Sequence, residues 1–276
     1  MEEVETLCAA FAERWPEQVR SFVFGHSAQG RPLRALLVTR SGAFTPGALR
    51  ERGIPVLLVQ AGIHPGESDG KDAGFAALRE LLGGHPLTGP AGGSPIETLP
   101  PHGDPLEHVA VLFVPAFNAD GHERTGRWNR PNQIGPDETG WRATAHNLDL
   151  NRDYTKADAP EMRALLALVC DFDPLVAADL HATDGADFEP DVSIQVEPIH
   201  LGDPHLHPLG TALRDALILK QDPALAAEFQ YRLAGDPAFA ADPEARREFF
   251  VRRHPSWDTR YAMYPILRTD AVPPLA

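Results

Sequence analysis

Cysteine is nearly absent from the 276-residue sequence, which contains only Cys8 and Cys170. Two thiols are too few for a disulfide framework or a thiolate metal site, and we expect both to be buried free thiols. Basic residues are outnumbered by acidic ones, 25 against 39, which gives a formal net charge of −14. Because nucleic acids and anionic membranes bind basic faces, this balance disfavours both as general partners.

Long apolar runs are also missing, since none approaches the roughly 18 residues that a membrane-spanning helix needs. The segment Met1–Ala10 is acidic and has neither a basic region nor an apolar core, so we expect no signal peptide and a cytoplasmic location. Hydrophobic residues make up 43% of the chain and charged residues 23%. That composition is typical of a globular protein with a real core.

Three short apolar runs have the length of buried strands: Pro55–Gln60, His108–Pro115 and Leu175–His181. Helical patterns at Asp69–Leu82 and Pro160–Phe172 alternate with these strands. Such alternation is typical of an α/β fold. We therefore predict a mixed, mostly parallel sheet that is flanked by helices.

Weaker patterns extend this prediction at both ends of the chain. They indicate a helix near 2–18, strands at Ser21–Ser27 and Leu33–Thr39, a surface loop over 83–105, a strand at Val192–Val196, helices at 210–219, 223–234 and 243–253, and an extended stretch over Tyr261–Ala276. We predict an α/β domain over residues 1–205 and a helical and extended tail over 206–276. Whether the tail packs on the first domain is left open.

Metal-ligating side chains stand at the ends of two predicted strands. His64 and His181 each end such a strand, and ligands of open α/β sheets lie at the carboxyl ends of strands. The Pro65–Gly66 turn after His64 brings Glu67 back beside it. Two histidines and a carboxylate form a known catalytic zinc set. Asp179 is placed to orient His181 through a hydrogen bond.

A second group of candidates follows in a long polar loop. Asn151 and Arg152 are suited to bind a carboxylate together, and Asp149 to accept a hydrogen bond from a ligand imidazole. Arg127 and Arg130 are candidates for stabilising an oxyanion formed in acyl transfer. The alternatives are a solvated loop salt bridge for the first segment and purely structural arginines for the second.

Taken in order, these motifs resemble the zinc metallocarboxypeptidase family of the carboxypeptidase A type. The matching pieces span residues 21–187 and occur in the family's order. They are Ser27-x-x-Gly30-Arg31-Pro32, His64-x-x-Glu67, Asn118-x-Asp120-Gly121, Gly126-Arg127-x-Asn129, Asp149-Leu150-Asn151-Arg152 and Asp179-Leu180-His181.

The resemblance implies a sheet with one catalytic Zn²⁺ per chain and assigns His64, Glu67 and His181 as its ligands. It implies hydrolysis of C-terminal peptide bonds by a metal-activated water. The implied partner is a peptide or small amide with a free C-terminal carboxylate.

The resemblance also implies roles for the polar residues of the loop. It assigns Asn151 and Arg152 to the carboxylate of the substrate. It assigns Arg127 to polarisation of the scissile carbonyl, with Arg130 as the alternative counterpart.

The family uses a further glutamate as general base, and no residue of this chain matches it clearly. Glu197 is the first candidate, although it follows His181 closely in sequence. Glu244 and Glu248 lie in a helix-like segment that favours a solvated face. One interpretation is that the chain lacks the piece that carries the last strands and this glutamate.

Three other functions therefore stay open beside the carboxypeptidase. The first is a catalytically impaired domain that binds zinc and C-terminal carboxylates without a general base. The second is an amidohydrolase of N-acyl amino acids. The third is an α/β domain with a coincidental metal motif.

Overall fold

The computed structural model describes residues 1–83, 104–131, 136–182, 196–199, 202–221, 231–232, 234–242 and 245. The chain divides into two compact units, Met1–Gly185 and Ala186–Ala276. The assignment of residues 206–276 to a separate tail stays a prediction. Several predicted segments lie wholly or largely outside the described residues, namely the loop over 83–105, the strand at 192–196, the helices at 223–234 and 243–253, and the extended stretch at 261–276.

The first unit alternates strands and helices much as predicted. Its described strands are β1 (Val19–His26), β2 (Pro32–Val38), β3 (Val56–Ala61), β4 (Ala110–Val114) and β5 (Val176–Leu180). Its described helices are α1 (Glu2–Arg14), α2 (Pro46–Glu51), α3 (Asp69–Gly83), α4 (Ala119–Glu123) and α5 (Pro160–Phe172). Short 3₁₀ turns occupy Pro105–Glu107 and Leu150–Arg152.

Two helices differ from the predictions for local reasons. The first helix ends at Arg14 because Pro16 disfavours helical backbone at Trp15, which has φ −127° and ψ 61°. Helix α2 was not predicted. Its start is nevertheless readable, since Thr45 accepts a hydrogen bond from the Ala48 amide and a proline follows at the first helical position.

The strands form one sheet in the order β1-β2-β4-β3-β5. Strand β3 is parallel to both β4 and β5, whereas β2 is antiparallel to both β1 and β4. The predicted mixed sheet is confirmed, and among the described strands two pairings are parallel and two are antiparallel. The tight turn at Gly30 (φ +79°) joins β1 and β2 as a hairpin and so makes this pair antiparallel.

Helices cover both faces of the sheet and bury its apolar side chains. Helices α2 and α5 cover one face, where the buried residues include Leu49, Leu58, Leu112, Met162, Leu165 and Phe172. Helices α1 and α3 cover the other face, where they include Val4, Phe11, Leu36, Phe75, Leu78 and Phe113. Each large side chain buried in this way contributes about 1.5–3 kcal/mol.

The two cysteines are not alike. Cys8 is a buried residue of α1, and burial raises the pKa of its thiol to about 12. Cys170 is exposed on α5, so the prediction that both thiols are buried was wrong for this residue. Its position on α5 lies outside the stripe of that helix that packs on the sheet, which includes Leu165, Leu168 and Phe172.

The described part of the second unit is helical. Helix α6 spans His207–Gln221, which confirms the predicted helix at 210–219, and a short helix α7 spans Pro237–Ala241. The side chain of Asp236 caps α7 by accepting from the amides of Ala238 and Phe239. None of the helices in the described residues has both the length and the apolar character to cross a bilayer.

The tight contact between α3 and the sheet generates a first prediction. A Cβ placed on Gly74 would lie 2.3 Å from the Phe113 ring, closer than any real contact. We expect Gly74→Ala to lower the free energy of unfolding by about 1–3 kcal/mol through overpacking, although alanine favours helix. Urea unfolding measures the change.

The matched control is Gly47→Ala in α2, where an added Cβ meets nothing within 4 Å. That variant should unfold at the same urea concentration as the parent or a slightly higher one. Equal destabilisation by the two substitutions would contradict the packing of α3 on Phe113.

Candidate metal centre

The segment His64-Pro65-Gly66-Glu67 forms a tight turn after β3. The amide of Glu67 donates to the carbonyl of His64 at 3.2 Å, and Gly66 has φ +93°. Proline followed by a glycine of positive φ is the pattern of a type II turn. As predicted from the Pro-Gly pair, the turn places the His64 and Glu67 side chains next to each other.

The parallel pairing of β3 with β5 brings His181 to the same place. Gln60 pairs with Asp179 and Ala61 with Leu180, so the two strands end together. His181 follows β5 directly, and its ring centroid lies 5.1 Å from that of His64. Sheet register thus joins residues that are far apart in the sequence.

The side chains of His64, Glu67 and His181 form a compact donor cluster. One ligand atom from each lies within 4.8 Å of the others. The Nδ1 atom of His64 is 3.1 Å from Glu67 Oε1, and the Nδ1 atom of His181 is 2.9 Å from Glu67 Oε2. His64 and Glu67 are buried, while His181 is exposed. The two imidazoles therefore turn the same ring nitrogen toward one carboxylate.

The other nitrogen of each ring contacts an aspartate, and each histidine has a different one. His64 Nε2 lies 3.3 Å from Asp149 Oδ1, and His181 Nε2 lies 3.1 Å from Asp179 Oδ2. Carboxylates in these positions fix the orientation of an imidazole and its tautomer. Both aspartates thus stand where the sequence suggested.

Burial and neighbouring charges shift the pKa values of Glu67, His181 and Asp149. Burial raises the pKa of Glu67, but hydrogen bonds from His181, His64 and Arg130 outweigh it and hold that pKa well below its usual range. Hydrogen bonds to Asp179 and Glu67 raise the pKa of His181 to about 10. Burial also opposes ionisation of Asp149, but the charge of Arg142 keeps the pKa of this carboxyl low.

The two arginines that the sequence suggested lie in different environments. Arg130 is 8% exposed and donates from Nη2 to Glu67 Oε1 at 2.6 Å. Arg127 is exposed and its guanidinium lies 5.4 Å from the centre of the Trp128 ring. The structure thus brings Arg130 into the cluster and places Arg127 at the surface.

A third arginine of the same loop was missed. Arg142 donates from Nε to Asp149 Oδ2 at 3.0 Å and keeps about a third of its side chain exposed. It therefore borders the cluster on the side of His64. A signal was available, since Arg142 is a cation in the long polar loop that also carries Asp149.

The predicted carboxylate-binding pair lies on the turn that Asp149 caps. The backbone amide of Asn151 donates to Asp149 Oδ1 at 2.9 Å, and the exposed Arg152 donates to the Asn151 carbonyl at 2.8 Å. Both residues thus lie on the short turn that begins at the aspartate that contacts His64.

The predicted general base lies in the second unit. Glu197 Oε2 accepts a hydrogen bond from the Ile199 amide at 2.6 Å. Its role as a base stays a prediction.

Other matching motif residues stabilise the loops around the cluster. Asp120 accepts hydrogen bonds from Ser27 Oγ at 2.6 Å, the Gln29 amide at 3.1 Å and Arg31 Nη1 at 2.6 Å. This buried carboxylate ties the β1–β2 turn to α4. The motifs that contain Ser27 and Asp120 thus lie far apart in the sequence but are in contact in the structure.

Two asparagines support the same region through the backbone. Asn118 caps α4 through the Gly121 amide at 2.9 Å and donates to the Arg142 carbonyl at 3.1 Å. Asn129 donates to the carbonyls of Arg124 and Thr139 at 2.8 and 2.9 Å. These contacts position the loop that carries Arg130 and Arg142.

The family comparison agrees with this geometry. Residues 4–184, more than half of the chain, match the model of the zinc carboxypeptidase family. The chain belongs to this family.

One curated relative matches at a lower coverage. Carboxypeptidase D of Drosophila melanogaster is 28% identical over 158 residues, which is 55% of this chain and 10% of that protein.

Solved structures share the fold. The carboxypeptidase A of Helicoverpa armigera matches with a TM-score of 0.51 and 18% identity, over 78% of this chain and 52% of that one. A metallo-carboxypeptidase of Pseudomonas aeruginosa, solved with (2-guanidinoethylmercapto)succinic acid, matches with a TM-score of 0.51 and 22% identity, over 76% and 47%. The chain therefore spans about half the length of these structures.

A half-buried histidine beside the His64 turn generates a second prediction. The Nε2 atom of His122 is buried, and it would lie 2.5 Å from a Cβ on Gly62. Burial lowers the pKa of His122 to about 4, below the ordinary value of 6.5. The unfolded chain therefore binds a proton at this residue before the folded chain does.

We expect the free energy of unfolding to fall as the pH decreases from about 6.5 to about 4. His122→Gln should remove up to about 3 kcal/mol of that dependence. Urea unfolding at several pH values measures it, with His146→Gln on the exposed loop as the control. Parallel pH profiles for the parent and the His122 variant would contradict a neutral buried histidine.

Proposed function

We propose that this protein is a zinc metallocarboxypeptidase that hydrolyses C-terminal peptide bonds. The observation that carries the proposal is the compact cluster of His64, Glu67 and His181, with Nδ1 of both rings directed at the buried carboxylate. Membership of the zinc carboxypeptidase family supports it. The comparisons do not favour the impaired domain or the amidohydrolase.

The donor set fits a catalytic zinc ion. Two imidazole nitrogens and one carboxylate are three of the four ligands that zinc takes, which leaves one position open for chemistry. His64, Glu67 and His181 would hold one ion per chain. When bound, zinc supplies Lewis acidity and a lowered pKa for the attacking water.

The chain's own aspartates keep this donor set in order. Asp149 and Asp179 lie at Nε2 of the two rings and fix the orientation in which each Nδ1 faces Glu67, so that a metal would replace the proton between Nδ1 and the carboxylate. Because Asp149 is itself held by Arg142, the orientation of His64 depends on these two side chains in series.

The cations beside the cluster suit a substrate with a free carboxylate. Asn151 and Arg152 follow Asp149 and offer an amide and a guanidinium for the terminal carboxylate. We assign stabilisation of the oxyanion at the scissile carbonyl to Arg142, since it borders the cluster and Arg127 lies over Trp128. Peptides with a free C-terminus are the substrate class that these groups recognise.

The third prediction concerns zinc and turnover together. The purified parent chain should contain close to one zinc per chain, because its three donors already face one another. His64→Ala and His181→Ala should each lose stoichiometric zinc and, with it, hydrolysis of short peptides. Atomic absorption gives the metal content, and release of C-terminal amino acids gives the activity.

His146→Ala serves as the control, because this histidine lies on the exposed loop surface. Full zinc retention in both ligand variants would remove the ligand assignment. Zinc binding without turnover in the parent would favour the carboxylate-binding domain instead.

The fourth prediction concerns the substrate carboxylate. Arg152→Ala should weaken binding of peptides with a free C-terminus by at least about tenfold, since a charge-assisted hydrogen bond contributes about 1.5–3 kcal/mol. Peptides with an amidated C-terminus should bind the variant and the parent equally. Calorimetric titration of both peptides against both proteins measures the difference, and an equal loss for the two peptides would exclude this role.

A further inference from the structure

The ion pair between Arg130 and Glu67 is a feature that zinc binding and catalysis do not explain. Both side chains are buried, at 8% and 3% exposure, and Nη2 of the arginine lies 2.6 Å from Oε1 of the glutamate. A metal ligand usually bonds to the metal and to neutral or acidic neighbours, whereas here a fixed cation contacts the ligand itself. A cation at that position repels a second cation.

The carboxylate of Glu67 has donors on both oxygens. Oε1 contacts Nδ1 of His64 and accepts from Arg130, while Oε2 contacts Nδ1 of His181 and accepts from the Ala182 amide. Each oxygen thus has one imidazole and one further donor. Arg130 and the Ala182 amide are the donors that do not belong to the proposed ligand set.

Charge explains why such a contact is needed. A buried carboxylate is costly unless a cation or several hydrogen bonds compensate it. Without a metal, Arg130 is the permanently charged group that contacts Glu67. With a divalent ion in place, the carboxylate has a stronger counter-charge and the guanidinium contributes less.

We propose that Arg130 is a positioning residue that stabilises the metal-free site and thereby lowers its affinity for zinc. This inference rests on the proposed metal site of His64, Glu67 and His181. By linkage, any group that stabilises the metal-free protein more than the loaded protein weakens metal binding by the same factor. Arg130 thus keeps the site folded before loading and makes the metal easier to exchange.

The test is zinc affinity in Arg130→Gln, which keeps a hydrogen-bond donor and removes the charge. Competition with a chromophoric chelator at fixed pH should show zinc bound at least about tenfold more tightly than by the parent, the factor that about 1.4 kcal/mol gives. The melting temperature of the metal-free variant should fall more than that of the zinc-loaded variant. Arg130→Lys retains the charge and should bind zinc with an affinity closer to that of the parent.

Arg124→Gln is the matched control, because this arginine of the same loop is exposed and lies over the Trp141 ring at 5.1 Å. It should leave both the zinc affinity and the two melting temperatures unchanged. If metal-free Arg130→Gln does not fold, the proposal requires that zinc restores the fold, and failure of that rescue overturns it.

Unchanged or weaker zinc binding by Arg130→Gln, with equal loss of melting temperature in both forms, would also overturn the proposal and leave Arg130 a structural residue. A parent chain that binds no zinc is a different result, because it removes the proposed function itself.

Discussion

The buried carboxylate of Glu67 is the interaction on which the arrangement of the site depends. Its charge lies where water hardly reaches, so the surrounding chain must supply donors to both oxygens. Those donors come from the turn after β3, from the end of β5 and from the long loop before α5. One buried charge therefore draws three distant segments together, and an aspartate at the outer nitrogen of each imidazole completes the arrangement.

Because the sheet already holds its strands in register, bringing His64 and His181 together costs little further conformational entropy. Strands β3 and β5 are parallel neighbours with a fixed register, so their carboxyl ends deliver His64 and His181 without any adjustment of the loops. Motif residues outside the proposed metal ligands have structural roles. Asp120 ties a hairpin turn to α4. Just after the last of these loop motifs, Asp153 accepts from the amides of Asp158 and Ala159 where α5 begins.

Much of this arrangement can be predicted from the sequence, and the exceptions have physical causes. Apolar runs locate β3, β4 and β5, and strand ends locate both histidines, because burial and alternation are local signals. The order of strands and the contacts of single arginines depend on packing between distant segments. Charge and loop position alone therefore could not separate the surface-exposed Arg127 from the buried Arg130, and they mark Arg142 only as one cation of the loop among several.

The bridge between Gly126 and Thr139 defines the two ends of the loop that carries Arg130. Its two backbone hydrogen bonds, at 2.9 and 3.3 Å, close residues 127–138 at their base and fix the chain on either side. Closing a longer or shorter loop at such a base costs little free energy. A change of sequence within this segment can therefore alter the charge that reaches Glu67 without removing the bridge at its base.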